Sequence, residues 1–394
     1  MKNLKGSIFG LVALAVALSI TPPALAENTQ VLPKGRSSVS LAYFQDAVQR
    51  EFDDSGDNRE LAFYLNHVNI TALANQSLLK QTGPLPFDIV QSANTYLDAR
   101  ADVYGAAFSF QYGVTDKLTV GIGLPYFMEA RGKVDFGINL KFTAPAIAAG
   151  IDDLILASTT PIGMVQSYLH DELGYDPVES WEGDPGVGDL IVGAKYRFLD
   201  QDQFKSALSG FVSIPTGTPD DERCLTDIAY GTGSYLTGLS LIADLTPVDW
   251  LTWSFSGGYV FDLPHQRGVF VLDRDNPVFY KSEFPTIHKN GRYDRGDYYV
   301  FESDLYLMPA PGVKPYVGYR YLQAGADYID GDKMPKTERI SRKLIIGLSA
   351  SAVESYLDGK AKLPMVFNVY AEPVQTGRNV EQDARVYLSA SLIF

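Results

Sequence analysis

The sequence predicts an all-β protein: an antiparallel transmembrane β-barrel of 12 strands, with long extracellular loops that carry short helices. Three observations support this class. Apolar residues alternate with small or polar residues in successive hairpins, connections are short at one end of the hairpins and long at the other, and the chain ends on Phe394. Soluble sandwiches also show alternation, so the loop lengths and the C-terminus carry most of the weight.

The composition agrees with this class. The 394 residues include 24 Tyr, 21 Phe and 35 Gly, and 46% of the chain is hydrophobic, which excludes a disordered protein. A single cysteine excludes a disulfide scaffold. The formal charge of -14 argues against nucleic acid as a partner, because a phosphate backbone binds basic surfaces.

The N-terminus has the pattern of a secretory signal peptide. Lys2 and Lys5 precede an apolar run over 8–20, and small residues lead to an expected cleavage site after Ala26. The run is too short for a helix that spans a membrane, which needs about 20 residues. We therefore expect residues 1–26 to be removed and residues 27–394 to form a single outer-membrane barrel.

Twelve strands follow from the alternation. A first strand is expected over 37–48, five hairpins with short turns follow it, and a last strand runs over 385–394. The predicted hairpin arms are 104–112 with 116–127, 189–198 with 208–214, 234–245 with 250–261, 297–308 with 313–323, and 342–350 with 363–372.

Segment 59–73 leaves 14 strands as the alternative. Its first residues alternate, but the pattern then fades. Because both termini should face the periplasm, strands are added in pairs, and a partner would have to lie between 76 and 96. Gly83, Pro84 and Pro86 make that region a poor strand.

The long connections are expected at the extracellular side, over 130–186, 216–232, 262–295 and 324–338. Apolar spacing within 151–173 indicates short helices. These helices are expected to cover the barrel mouth, where a candidate apolar ligand pocket with lateral exit through the wall is formed by Leu154, Ile155, Met164, Val165 and Tyr168.

If the apolar strand faces contact lipid, the charged residues of the strands point into the lumen, since a charge on the lipid face costs roughly 2 to 4 kcal/mol at the bilayer midplane. In one interpretation they are paired struts that fill a narrow interior, and in the other they line a charge-selective path. The predicted lumen-lining residues are Asp189, Lys195, Arg197, Glu302, Asp304, Lys314, Arg320, Lys343 and Arg385.

Chemical motifs are sparse. His67, His170, His265 and His288 are scattered and show no zinc-binding spacing, so we expect no catalytic residue, no metal site and no cofactor. Two alternatives remain open. Serine, histidine and acidic residues are available for a lipid hydrolase, and acidic groups at 53–57, 220–222 and 330–332 are available for calcium.

Four segments resemble outer-membrane transporters associated with the phenol meta-cleavage pathway, which are distantly similar to long-chain fatty-acid channels. They are 112–126 (YGVTDKLTVGIGLPY), 186–197 (GVGDLIVGAKYR), 214–217 (IPTG) and 231–234 (GTGS). The resemblance implies a barrel that passes small hydrophobic or aromatic compounds. It covers 110–394, and the long segment 50–98 departs from it.

The leading hypothesis is therefore a non-enzymatic, monomeric channel in the bacterial outer membrane for passive uptake of small hydrophobic or aromatic compounds. The alternatives are a lipid hydrolase and a structural or adhesive surface barrel. The expected partners are outer-membrane lipid and lipopolysaccharide, a small hydrophobic ligand, and the barrel assembly machinery. The last strand, which ends on Phe394, resembles the signal that this machinery recognises.

Overall fold

The computed structural model describes residues 28–61, 69–153, 161–171, 174–224, 226–271, 287–334 and 337–394. The expected signal peptide, 1–26, lies outside these residues. Twelve antiparallel strands, β1 to β12, form a closed barrel. They are Ser37–Phe52, Val90–Thr115, Leu118–Phe142, Leu190–Asp200, Phe204–Ile214, Leu236–Val248, Leu251–Asp262, Tyr298–Leu307, Val313–Ala324, Arg339–Ser351, Met365–Arg378 and Val380–Ile393.

The last strand pairs with the first and closes the barrel. Val39 lies opposite Leu392, and the terminal residue takes part in the closure: the Phe394 N–H donates to the Ser37 carbonyl at 2.9 Å, and the Ser37 N–H donates to the Phe394 carbonyl at 2.8 Å. Closure leaves no unpaired strand edge in a solvent that cannot hydrogen-bond to the backbone. The prediction of 12 strands is confirmed.

Segment 59–73 contributes no barrel strand. A short strand, Asn58–Glu60, folds back on β1, residues 62–68 are outside the described part, and helix α1 begins at Thr71. The 14-strand alternative is therefore wrong.

The remaining elements lie mainly outside the barrel wall. The helices are α1 Thr71–Thr82, α2 Ala144–Ala148, α3 Pro161–Asp171 and α4 Val353–Leu357, and α3 agrees with the helices expected within 151–173. None of the helices in the described residues is long and apolar enough to cross a membrane. Two short strands, Trp181–Gly183 and Gly186–Val187, pair with β3. A separate sheet, called the outer sheet below, consists of His265–Val271, Ile287–Asp294, Tyr328–Ile329 and Asp332–Lys333.

The first long connection starts later than predicted. β3 continues to Phe142, and it pairs with β2 from the turn at Thr115 and Leu118 up to Val90 and Phe142. β4 pairs with β3 only up to Gly123. The extracellular half of the β2–β3 hairpin therefore projects beyond β4. The prediction of a loop from residue 130 is wrong because alternation of partly buried apolar residues continues from Val134 to Phe142.

Helix α1 packs on this projecting hairpin and supports it. The buried Asn75 side chain accepts from the N–H groups of Ile89 and Val90, both at 2.8 Å, and donates to the Val90 carbonyl at 3.0 Å. Leu78, also buried, belongs to the same apolar cluster as the hairpin residues. One amide thus satisfies three backbone groups at the beginning of β2, where pairing would otherwise fray.

The two faces of the wall differ as predicted. Leu41, Phe108 and Leu241 are about half exposed on the outer face, whereas Ser40, Ser254 and Arg385 are buried on the inner face. An outer surface of large apolar side chains is stable against lipid and unfavourable against water. The barrel is therefore built to span a membrane.

A lipid-facing position can be tested with charge. Leu241 lies near the middle of β6 and is 55% exposed, so Leu241→Arg should lower the free energy of unfolding in lipid vesicles by about 2 to 4 kcal/mol. Val192→Arg, two residues from the extracellular end of β4, should cost only about 0 to 1 kcal/mol. Equal losses in urea titrations would contradict the placement of these residues at different depths.

Candidate permeation path through the barrel

The segment before β1 enters the lumen near its periplasmic end. Asp244 of β6 accepts from the Thr29 N–H at 3.0 Å and from the Thr29 hydroxyl at 2.6 Å, and Ser254 of β7 donates to its other oxygen at 2.5 Å. Lys195 of β4 donates from Nζ to the Asn28 carbonyl at 2.8 Å. Residues 28 and 29 are thus bound to inward-facing side chains of two strands, β4 and β6, a contact that the sequence pattern did not indicate.

A group of ion pairs occupies the opposite wall. Arg385 of β12 is fully buried and contacts Asp46 of β1 at 2.7 Å, Glu372 of β11 at 3.2 Å and Asp383 at 3.4 Å. Burial of an unpaired charge costs several kcal/mol, so this guanidinium depends on its carboxylates.

Two further cations extend the group. Lys343 of β10 contacts Glu372 at 3.5 Å and Asp383 at 3.0 Å, and Arg320 of β9 contacts Glu372 at 2.6 Å and Glu302 at 2.5 Å. We call the set the ion-pair cluster; it comprises Asp46, Glu302, Arg320, Lys343, Glu372, Asp383 and Arg385.

Four of the nine predicted lumen residues, Glu302, Arg320, Lys343 and Arg385, meet in this cluster. Asp304 lies two residues from Glu302 on β8 and is buried; its carboxylate occupies the space that a Cβ at Gly318 would need. Asp46, Glu372 and Asp383 were missed. Strand parity is the signal that identifies them, because each lies an even number of residues from another inward-facing position of its strand.

The remaining predicted residues lie elsewhere. Asp189, beside the extracellular end of β4, accepts from the Gly217 N–H at 3.0 Å, the Thr232 N–H at 2.8 Å and the Thr232 hydroxyl at 2.9 Å. It anchors the connection between β5 and β6. Arg197 pairs with Asp200 at 3.0 Å at the periplasmic end, and the half-buried Lys314 is the second residue of β9, also at that end.

Aromatic rings fill the interior beside β1 to β3. Phe44 of β1 and Phe127 of β3 meet edge to face with centroids 5.7 Å apart, and Tyr230 stacks on Phe127 at 4.6 Å with an interplanar angle of 9°. Tyr230 belongs to the connection between β5 and β6, so an extracellular loop reaches into the mouth. Its hydroxyl donates to the Asp184 carbonyl at 2.8 Å, and burial raises the pKa of Tyr230 to about 12.

A second ring stack belongs to the same apolar cluster. Tyr175, which is fully buried, stacks on Phe270 of the outer sheet with centroids 3.9 Å apart. Phe44, Phe127, Tyr175, Tyr230 and Phe270 belong to one apolar cluster, which we call the aromatic cluster. The lumen of a membrane barrel is usually polar, so an apolar interior under the loops is a specific feature of this chain.

Charged contacts hold the outer sheet against the connection between β5 and β6. Arg267 forms an ion pair with Asp220, and His288 Nε2 lies 3.0 Å from Glu222 Oε1. Asp227, which is buried, accepts from the Asp221 N–H at 2.8 Å. Burial, reinforced by the neighbouring Asp220, raises the pKa of Asp227 to about 8.

The predicted apolar pocket is only partly within the described residues. Leu154 and Ile155 lie outside them. Met164, Val165 and Tyr168 are on α3, but their side chains are outside the described part; the neighbouring Leu169 is buried in the apolar cluster. This places α3 against the cluster without locating the pocket.

The acidic groups proposed for calcium have protein partners. Asp53 accepts from the Ser55 N–H at 2.8 Å and the Asp57 N–H at 2.9 Å and pairs with Arg59 at 2.6 Å. Asp330 pairs with Lys289 at 3.3 Å. Among the residues that the structure describes, no group of three histidine, cysteine or acidic side chains is arranged to hold a metal ion.

Comparison with known proteins identifies the fold. No protein-family model matches the sequence, and no curated protein matches it. An outer-membrane channel from Pseudomonas putida F1 superimposes with a TM-score of 0.56 and 12% identity, over 94% of this chain and 99% of that one. The chain has the fold of an outer-membrane channel.

Two further solved structures align with lower scores. The Ralstonia pickettii toluene transporter TbuX has 13% identity and a TM-score of 0.36, over 99% of this chain and 96% of that one. The monoaromatic hydrocarbon channel CymD has 13% identity and a TM-score of 0.34, over 92% of this chain and 89% of that one.

The ion-pair cluster predicts a large effect on stability. Arg385→Met leaves Asp46, Glu372 and Asp383 short of their shared cation, so the free energy of unfolding should fall by about 3 to 5 kcal/mol. The exposed Arg378→Met is the control and should change it by less than about 1 kcal/mol. Unfolding in lipid vesicles measures both, and a small loss for Arg385→Met would show that the cluster is not mutually dependent.

The raised pKa of Asp227 predicts that its contact with the Asp221 N–H depends on pH. Because its pKa is raised to about 8, the folded loop binds a proton that the opened loop releases, so the stability of the contact falls as pH rises from about 4 to about 8. In hydrogen exchange of residues 226–232, wild type and Asp227→Asn should open equally near pH 4, and wild type should open more than about tenfold faster near pH 9. Comparison at equal pH cancels the intrinsic exchange chemistry. Identical ratios at both pH values would refute the assignment.

Proposed function

We propose that this chain is an outer-membrane channel for the passive uptake of small hydrophobic or aromatic compounds. The observation that carries the proposal is the aromatic cluster inside the barrel, where Tyr230 of an extracellular connection stacks on Phe127 of the wall. The fold supports a channel, and the chemistry of this cluster supports an apolar cargo.

The aromatic side of the described interior is unfavourable for a polar solute. Such a solute would lose hydration against the rings of Phe44, Phe127 and Tyr230 without gaining hydrogen bonds. An aromatic molecule replaces one ring contact with another and gains roughly 25 cal/mol for each Å² of apolar surface that it buries. Binding of this kind is non-covalent and reversible, as passive transport requires.

The apolar residues of the first long connection belong to the same proposal. Leu154, Ile155, Met164, Val165 and Tyr168 would receive the compound before it reaches the aromatic cluster, since α3 packs against that cluster through Leu169. The charged residues of the lumen are then paired struts that keep the narrow interior closed to ions, rather than a selectivity filter.

No catalytic step is part of the proposal. In the described part of the chain, His170 contacts Asp171 at 3.0 Å and His288 contacts Glu222 at 3.0 Å, and neither pairing includes a serine. We further propose that the protein acts as a monomer and that assembly depends on recognition of Phe394. Turnover of phospholipid by the purified protein would instead support the hydrolase alternative.

Flux into liposomes tests the proposal. The liposomes carry lipopolysaccharide in their outer leaflet, and the flux into protein-free liposomes is subtracted. Wild type should then admit toluene, detected by a trapped aromatic-responsive reporter, and little arabinose. Phe44→Ser with Phe127→Ser removes apolar contacts worth roughly 1.5 to 3 kcal/mol each, so toluene flux should fall severalfold and arabinose flux should rise. Phe108→Ser, on the lipid face of β2, is the matched control and should leave both fluxes unchanged.

Two outcomes would contradict the proposal. Rapid arabinose flux through wild type would indicate a polar pore. Unchanged toluene flux in a folded Phe44→Ser, Phe127→Ser variant would show that the aromatic cluster is not on the route.

A further inference from the structure

An apolar groove interrupts the lipid-facing surface of the barrel across β6 to β9. It has a volume of about 600 Å³ and is lined by Leu239, Tyr299, Phe301 and Tyr321 around a floor at Gly257 and Gly258. Leu239 and Tyr299 are among the most exposed large side chains of the wall, at 57% and 60%. The groove faces outward and is separate from the interior described above.

Glycine creates the groove. Gly257 occupies an outward-facing position between Phe255 and Tyr259, and it lies opposite Phe301 on β8 and Leu241 on β6. A Cβ added at Gly257 would meet no heavy atom within 4 Å. Neither a turn nor close packing requires a glycine at position 257. The absence of a side chain there leaves the groove open between the large side chains of the neighbouring strands.

The groove opens towards the extracellular side of the membrane. Tyr259, Tyr299 and Tyr321 lie within three residues of the extracellular ends of their strands, which are Asp262, Tyr298 and Ala324. Tyrosines at this height form the girdle that is typical of membrane barrels. A girdle explains the rings, but it does not explain the glycine floor beneath them.

A cation stands beside one end of the groove. The Arg342 guanidinium of β10 lies over the Tyr321 ring, 5.7 Å from its centroid, and Nη1 donates to the Thr376 hydroxyl at 3.3 Å. Arg342 is exposed, whereas the next residue, Lys343, points inward to the ion-pair cluster. The guanidinium is therefore held on the outer surface, with donors available at the membrane boundary.

The other end of the groove is acidic. The Tyr259 hydroxyl donates to Asp297 at 2.7 Å. An anionic head group is therefore attracted to the Arg342 end and repelled from the Asp297 end, while an acyl chain fits the apolar groove between them.

We propose that this groove binds lipid A, the phosphorylated anchor of lipopolysaccharide, with one acyl chain over Gly257 and a phosphate on Arg342. The extracellular position selects this lipid, because lipopolysaccharide forms the outer leaflet of a bacterial outer membrane. The proposal does not depend on the transport function.

Native mass spectrometry of the purified, delipidated protein with hexa-acylated bisphosphoryl lipid A tests it. Wild type should bind one lipid A. Arg342→Gln should weaken binding about tenfold through loss of a charge-assisted contact. Gly257→Leu should weaken it to a similar extent, about tenfold, by filling the groove.

Matched controls are available on the same barrel. Lys205→Gln removes a cation at the periplasmic end, and Ala384→Leu adds the same side chain at an exposed position of β12; neither should change binding. Arg342→Lys should restore part of the affinity. Folding of each variant is checked by heat-modifiable migration on a gel. If Gly257→Leu does not fold, Gly257→Ala is used in its place and should weaken binding to a smaller extent.

Removal of the phosphates gives a second readout. Dephosphorylated lipid A should bind wild type and Arg342→Gln equally but still discriminate against Gly257→Leu. Equal binding of lipid A by Arg342→Gln, Gly257→Leu and the controls would overturn the proposal. The proposal would also be overturned if Arg342→Gln and Gly257→Leu weakened the binding of phosphatidylglycerol as much as they weaken the binding of lipid A. The groove would then bind phospholipids in general.

Discussion

The structure depends on the pairing of β12 with β1. In a lipid environment each backbone N–H and C=O must be bonded within the protein, so a sheet is stable there only when it closes. Closure brings Ser37 and Phe394, near the two ends of the barrel sequence, into reciprocal hydrogen bonds. It also separates the side chains into an outer set that contacts lipid and an inner set that must fill a narrow space.

That interior is filled in three different ways. Residues 28 and 29 bind to inward polar groups near the periplasmic end, the ion-pair cluster lies on the wall from β8 to β1, and the aromatic cluster lies against β1 to β3. The contacts of residues 28 and 29 and those of the ion-pair cluster are hydrogen bonds and ion pairs, which break if one partner moves. The third relies on non-directional contacts, which a small apolar molecule can replace. This difference explains why the aromatic side of the interior is suited to transport.

The extracellular connections are held by a different kind of contact. Asp189 anchors the connection between β5 and β6 through three hydrogen bonds, and the outer sheet is attached to that connection by Arg267 with Asp220 and by His288 with Glu222. Two ring stacks pack in the same region: Tyr230 stacks on Phe127, and Tyr175 stacks on Phe270. Two kinds of contact therefore hold the connections at the mouth: stacked aromatic rings, and ion pairs between the outer sheet and the connection between β5 and β6.

Alternation and loop length, both local properties, were sufficient to predict the closed 12-stranded barrel. Alternation is legible in sequence because the two faces of each strand meet different solvents. The extension of β2 and β3 was missed although the alternation continues to Phe142; what the tertiary structure adds is its support by the side chain of Asn75 on α1. The tertiary structure alone decided which charges meet, that residues 28 and 29 enter the lumen, and that Tyr230 stacks on Phe127. Arg385 and Asp46, for example, are 339 positions apart in the sequence and meet because β12 pairs with β1.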